Sequence, residues 1–243
     1  MKLPVYPYTE SMPDYGQFCT VARGAEIFGE LWTPLVVREL LCGSRRFNDI
    51  RRGVPRMSPT LLVKRLRKLE QMGIVQRIKG EEGWEYQVTQ AGEELRPIVV
   101  TLGHWGARWI GSRLKRDQLD AGFLMWDIRR FARLEAFPRG RRVVIHFRFT
   151  DARAGERLWW LVVENGVTDL CRDDPGYEVT VVIECTVRSL TEIWTGDSNP
   201  QAEIAAGNLR VQGGGRGGEQ LWRWLGRSMF APTRAGSLAP ASR

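Results

Sequence analysis

Thr60, Lys64, Arg67 and Gln71 recur at intervals of four, three and four in PTLLVKRLRKLEQM, so on a helix they share one face. That face carries hydroxyl, ammonium, guanidinium and amide groups, which hydrogen-bond to base edges and phosphate oxygens. Thr60 and Lys64, near the amino end, suit base edges; Arg67 and Lys68 suit phosphate, with Val63 flanking the same face. Arg45, Arg46, Arg51 and Arg52 stand just upstream and can clamp a nucleic-acid backbone, which positions a protein without specifying sequence. The chemistry these residues share is recognition of a polyanion.

The surrounding residues must hold that face in place. Leu62, Leu66 and Leu69 line the opposite side of the same helix, and Ser58 can cap its start with Pro59 at the first position. Pro55 and Pro59 interrupt helix across VPRMSP, which leaves Arg45 to Arg52 as a short helix with Phe47 and Ile50 turned inward. Cys19 to Leu41 is helical in pattern, but Gly29 and Pro34 imply a break near Trp32, giving two helices or one kinked one. Downstream, Ile74 to Ile78 and Trp84 to Val88 read as strands joined by KGEEG. This hairpin is a candidate wing in which Arg77 and Lys79 favour phosphate while Glu81 and Glu82 repel it. A last helix runs from about Glu93 to Leu114, with Trp105 and Trp109 four apart on one face.

Charge follows the same division. The chain of 243 residues has a formal net charge of +8, and the segment from Cys19 to Lys79 alone has thirteen basic residues against five acidic. The excess lies where a phosphate-binding surface needs it. No apolar run approaches the length of a membrane span, and the opening MKLPVYPYTESMPDYG lacks the apolar core of a secretion signal, so cytoplasmic retention is expected. Cys19, Cys42, Cys171 and Cys185 share no CxxC spacing and only two histidines exist to join them, which speaks against a disulfide framework or a structural zinc site, and no cofactor is expected. Two domains are expected: residues 15–114 for DNA binding and dimerisation, and residues 123–231 for a second fold. KRDQLDAG lies between them, and APTRAGSLAPASR reads as a disordered tail.

The pieces CTVARGAEIFGELWTPLVVRELLCGSRRFNDIRRGVPRMSPTLLVKRLRKLEQMGIVQR and YQVTQAGEELRPIVVTLGHWG closely resemble the HxlR-type winged helix-turn-helix regulators of bacteria, over about 90 residues from Cys19 to Gly106. The resemblance implies homodimers on double-stranded, inverted-repeat operators near promoters, with the first and last helices of the domain forming the dimer contact. It makes Pro59 to Met72 the recognition helix and Ile74 to Val88 the wing, from which the paired glutamates depart. Some relatives use a cysteine at the place of Cys19 as an oxidant or electrophile sensor, and Arg23 one turn on would favour its thiolate. The plainer alternative is a small packed side chain.

In the second half, RRVVIHFRFT, RLWWLVVENG, Val167 to Arg172 and Tyr177 to Cys185 read as four strands of a sheet covered by helices. The stretch VTVVIECTVRSLTEIWTGDSNPQAEIAAGNLRVQGG resembles sterol-carrier-protein type 2 domains, over about 110 residues from Phe123 to Met229. The fold class expected is therefore α+β, a winged helix-turn-helix domain followed by a sterol-carrier-protein-like sheet-and-helix domain. That resemblance implies a tunnel for a lipid or other hydrophobic small molecule, and Leu190, Ile193, Trp194, Ile204, Leu221, Trp222 and Leu225 are its candidate lining. The same residues can equally close a filled core.

Catalysis has little footing. Asp173 and Asp174 fall in DDPG, a turn signature; His104 and His146 read as packing or surface residues; RVQGGGRGG lacks the order of a phosphate loop. The expectation is a non-enzymatic transcriptional regulator, a repressor in preference to an activator because a dimer over a promoter blocks polymerase by itself. Its rivals are a lipid carrier or hydrophobic-substrate enzyme tethered to a DNA-binding module, and a non-sensing interaction scaffold.

Overall fold

A computed structural model describes residues 15–110, 114–213 and 216–231. The chain divides into two compact units, Met1–Gly103 and His104–Arg243. The opening MKLPVYPYTESMPD and most of the tail expected to be disordered lie outside the described residues.

The first unit begins with α1 (Thr20–Phe28) and α2 (Thr33–Leu41), two helices rather than one kinked helix. The break falls at Trp32, whose φ of 77° is left-handed, and Pro34 occupies the first turn of α2. Next come α3 (Phe47–Gly53), α4 (Pro59–Gln71), and the antiparallel pair β1 (Val75–Gly80) and β2 (Gly83–Val88), in register from Val75 opposite Val88 to Gly80 opposite Gly83. A single turn α5 (Gln90–Glu93) leads into α6 (Arg96–Trp109), which begins in the first unit and continues past Gly103 into the second. Val36, Val37, Leu40, Ile50, Leu62, Leu66 and Leu69 pack into one core. Close approaches mark where the elements meet. A Cβ on Gly92 would stand 2.3 Å from the Ile74 carbonyl oxygen, so only glycine lets α5 lie against the start of β1.

The second unit holds α7 (Ala121–Phe131), β3 (Val143–Phe149), β4 (Leu158–Glu164), β5 (Val167–Cys171), β6 (Val181–Cys185), α8 (Val187–Thr195), α9 (Pro200–Ala205), β7 (Leu209–Gln212) and α10 (Arg216–Leu225). Its sheet runs β5-β4-β3-β6-β7, parallel only between β3 and β6. The fold is a mixed α/β domain with a five-stranded sheet. Alternation along the strands sends Val143, Ile145, Phe147, Leu161 and Ile183 into a core with α7, α8 and α10. Two expectations need correction. β7 is a fifth strand of only four residues, and the strand expected from Tyr177 begins at Val181. Pro175 and Gly176 turn the chain, and the Thr180 hydroxyl accepts from the Val144 amide, so Tyr177 to Val179 lie outside the ladder.

No helix among the described residues is long and apolar enough to cross a membrane. No disulfide joins Cys19, Cys42, Cys171 or Cys185, all of which are among the described residues.

Candidate nucleic-acid interface

Helix α4 starts where Ser58 accepts a hydrogen bond from the Leu61 amide at 3.2 Å, which satisfies one of the amides left open at a helix start. Leu62, Leu66 and Leu69 are fully buried beneath it; Thr60, Lys64 and Arg67 are exposed above. The reading face is thus a solvent face with a rigid floor. Val63 is half-buried at its edge, and Ser58 serves as the cap.

Arg65 was not singled out in the sequence, yet it fixes the helix. It lies on the apolar side, buried to 6 % exposure, pairs with Glu30 in the α1–α2 turn, and donates to the Leu31 carbonyl at 3.1 Å. Lys68 also pairs with Glu30, so its ammonium is held against the α1–α2 turn. The Arg65 hydrogen bond, with help from Lys68 and against partial burial, holds the Glu30 carboxyl below the ordinary carboxylate range. The signal for Arg65 was available: it stands three residues after Leu62 and four before Leu69, on the buried stripe.

A second buried charge joins α2 to α3. Glu39 has no exposure; it accepts from Arg38 at 2.6 Å and from Ser44 Oγ at 3.3 Å, while Arg38 also donates to the Gly53 carbonyl at 3.2 Å. A Cβ on Gly53 would come within 1.8 Å of the Glu39 carboxyl carbon. Glycine ends α3 here because the carboxylate fills the space.

The arginines around α3 divide. Arg45 and Arg51 are exposed, and Arg52 pairs with Asp49 at 3.3 Å. Arg46 turns to the wing, pairing with Glu82 and standing 3.8 Å from Glu85. These carboxylates raise the Arg46 pKa, Glu82 most. The acidic wing turn is therefore partly neutralised within the fold. Arg77 lies over the Trp84 ring at 4.4 Å, Lys79 is exposed, and the Tyr86 amide donates to the Arg45 carbonyl at 2.8 Å, tying wing to helix-turn-helix. Cys19 is the exposed residue before α1, with no capping hydrogen bond from its side chain.

In the second unit, Leu190, Ile193, Trp194, Leu221 and Leu225 are packed in the core, Trp222 lies half-buried at its edge and Ile204 is half-exposed on α9. An opening of about 480 Å³ lies elsewhere, lined by Leu134, Phe137, Pro138, Arg139 and Val163 among others. Asp174 caps the turn expected of it by accepting from the Gly176 amide at 2.9 Å.

Residues 27–113 match the HxlR-like helix-turn-helix family. The chain is 40 % identical over 96 residues to an uncharacterized HTH-type transcriptional regulator of Mycobacterium tuberculosis (strain CDC 1551 / Oshkosh), an alignment covering 37 % of this chain and 59 % of that protein. It is 35 % identical over 91 residues to the regulator YvaP of Bacillus subtilis (strain 168), covering 36 % of this chain and 84 % of YvaP. Among solved structures it is similar to the redox regulator HypR in its reduced form, at 31 % identity and a TM-score of 0.36, over 38 % of this chain and 96 % of that one. The chain thus spans about 59 % of the length of the mycobacterial relative.

Proposed function

This chain belongs to the HxlR-like helix-turn-helix family of transcriptional regulators, and from that premise we propose that it binds an inverted-repeat operator as a homodimer and represses the adjoining promoter. The observation that carries the reading is the capped helix α4, buried on its leucine side and exposed at Thr60, Lys64 and Arg67. Its width suits a major groove, with Arg45 and Arg51 positioned by sequence to reach phosphates on either side of α3. Lys68 and Arg46, engaged by Glu30 and Glu82, act as struts for α4 and the wing.

Dimerisation is supported by exposed apolar side chains on the first and last helical stretches. Val21 on α1 is 77 % exposed, and Ile98, Leu102, Trp105 and Trp109 follow one face of α6 at spacings of four, three and four. Val99 anchors α6 to the first core while this stripe stays exposed, as a surface for a second copy requires. Two recognition helices on a two-fold axis double the base pairs read.

The second unit is proposed to be a sterol-carrier-protein-like sensor for a hydrophobic small molecule, with no catalytic role. Support comes from helices packed on one side of a mixed sheet and from the opening beside Phe137 and Val163. An effector that binds the two operator-affinity states unequally shifts them by linkage, in the cytoplasm where the operator lies. Cys19 offers a second input through thiol oxidation. The test is selective binding to genomic fragments by wild type and by a Lys64→Ala/Arg67→Ala protein. We expect selectivity in the first alone, and equal selectivity in both would refute the assignment of α4.

A further inference from the structure

The outer face of the five-stranded sheet, away from its helices, carries a small second cluster: Val144, Trp160 and Val162, all buried, with Cys171 and Val179 against them. His146 stacks on Trp160 across β3 and β4, with ring centroids 4.3 Å apart and planes 11° from parallel. Both rings are more than nine-tenths buried, at 7 % and 6 % exposure, and His146 Nε2 and Trp160 Nε1 have no hydrogen-bond partner in the protein. Nothing in the DNA-binding reading uses this pair.

The segment from Arg172 to Thr180 is tied down beside it at both ends. Arg172 donates to the Gly155 carbonyl and lies over Trp159; the Thr180 amide donates to the Val144 carbonyl at 2.9 Å. Between these ties, Tyr177 sits under the Arg142 guanidinium at 3.7 Å and Val179 joins the apolar cluster. We infer that Arg172 to Thr180 is a strap over the outer face of the sheet and that protonation of His146 releases it.

A neutral imidazole needs an acceptor for one N–H group, and an imidazolium needs acceptors for two. With the strap closed, Nε2 has neither protein acceptor nor water access, so the charged ring is disfavoured. Lifting the strap lets water reach that nitrogen and exposes Val144, Trp160 and Val162. Attraction between an imidazolium and the Trp160 ring does not oppose release, because the stack is built by adjacent strands and persists in either state.

The charged neighbours are few. Arg148 lies on β3 itself, Glu184 stands opposite it on β6, and Val182 opposes His146 directly. On β5, Cys171 opposes Trp160 and Asp169 opposes Val162; the strap brings Asp173, Asp174 and Glu178. Burial first, then Arg148, lowers the His146 pKa, and Asp174 partly restores it. The depressed value belongs to the closed state. Closure is therefore complete above the free value of about 6.5 and weakens as pH falls below it, by up to roughly tenfold per pH unit until the closed-state value is passed.

Hydrogen exchange of the 172–180 peptide in the full chain, corrected for intrinsic pH dependence, reads the strap; imidazole NMR reads His146, since the chain has only one other histidine. Wild type should lose protection progressively as pH falls from about 6.5, by at most about fivefold by about pH 5.5. His146→Phe keeps the stack without the charge and should hold protection flat. Asp174→Asn keeps the turn's acceptor and removes the acid that favours the imidazolium. Its imidazole midpoint should fall and its loss of protection deepen, which tests the inference even where His146→Phe does not fold. Equal loss in wild type and His146→Phe overturns the strap, as does a loss unchanged or lessened in Asp174→Asn, or a His146 titrating at the free value with the segment still protected.

Discussion

In the first unit the groups that orient the working helix are charged: Arg65 and Lys68 converge on Glu30, and Glu39 lies without exposure between Arg38, Ser44 and Gly53. In the second unit the sheet and its helices are joined by Phe147, Leu161, Ile183, Leu190 and Leu221, all buried and apolar. The difference follows from what each has to present. Apolar packing is strong and tolerant of small rotations, whereas a charged pair with several hydrogen bonds fixes direction. A helix whose side chains must meet base edges needs direction, and one that closes a core needs area.

The comparison breaks most readily at the core of the second unit. Leu161→Ala removes a fully buried side chain between facing layers and should cost about 4 kcal/mol in denaturant unfolding of that unit. Operator affinity measured below the transition should change little, since Leu161 belongs to the core of the second unit and the α4 leucines to that of the first. Next, Gly53→Ala forces the new methyl into the Glu39 carboxylate, which cannot swing aside without abandoning Arg38 and Ser44. A loss of about 3 kcal/mol is expected, combining overpacking with broken buried hydrogen bonds, and operator binding should weaken with it. A Gly53→Ala protein of wild-type stability would mean that Glu39 does not fill the end of α3.

Lys64→Ala/Arg67→Ala sharpens the contrast from the other side. Both residues are exposed, so stability should stay within about 0.5 kcal/mol of wild type while selective affinity falls by roughly a hundredfold. The salt dependence of binding should flatten as well, because a phosphate contact has gone.

What was legible in the sequence follows the same contrast. The break at Trp32 was marked by Gly29 and Pro34, the start of α4 by Ser58 and Pro59, and its floor by Leu62, Leu66 and Leu69; each signal is local. The partners of Arg65 and Lys68 sit some 35 residues upstream, and no periodicity links Glu30 to them. The pairing of Arg46 with Glu82 was hidden in the same way, because only folding brings the wing turn to α3. In the second unit, Tyr177 to Cys185 alternates like one long strand, but whether its first residues enter the ladder depends on the neighbouring strand, where Thr180 meets Val144. The His146–Trp160 stack depends on the register of β3 with β4, and β7 is too short to announce itself.

The smallest expected effect is the most direct test of the charged anchor. Glu30→Gln keeps the shape but halves the acceptor strength offered to Arg65, which is 6 % exposed and has few alternatives. A loss of about 1 kcal/mol in the first unit is expected, with a larger proportional loss of operator selectivity because α4 can then rotate about its leucine floor. The pH dependence separates anchor from bulk. In wild type the Glu30 carboxyl is depressed in the fold, so its contribution is complete above the unfolded value of about 4.3 and fades as pH falls through the lower folded value. Denaturant unfolding of Glu30→Gln against wild type should therefore show a gap at neutral pH that narrows on acidification. A gap that stays constant to about pH 3 would assign the loss to packing and remove the charge of Glu30 from the positioning of α4.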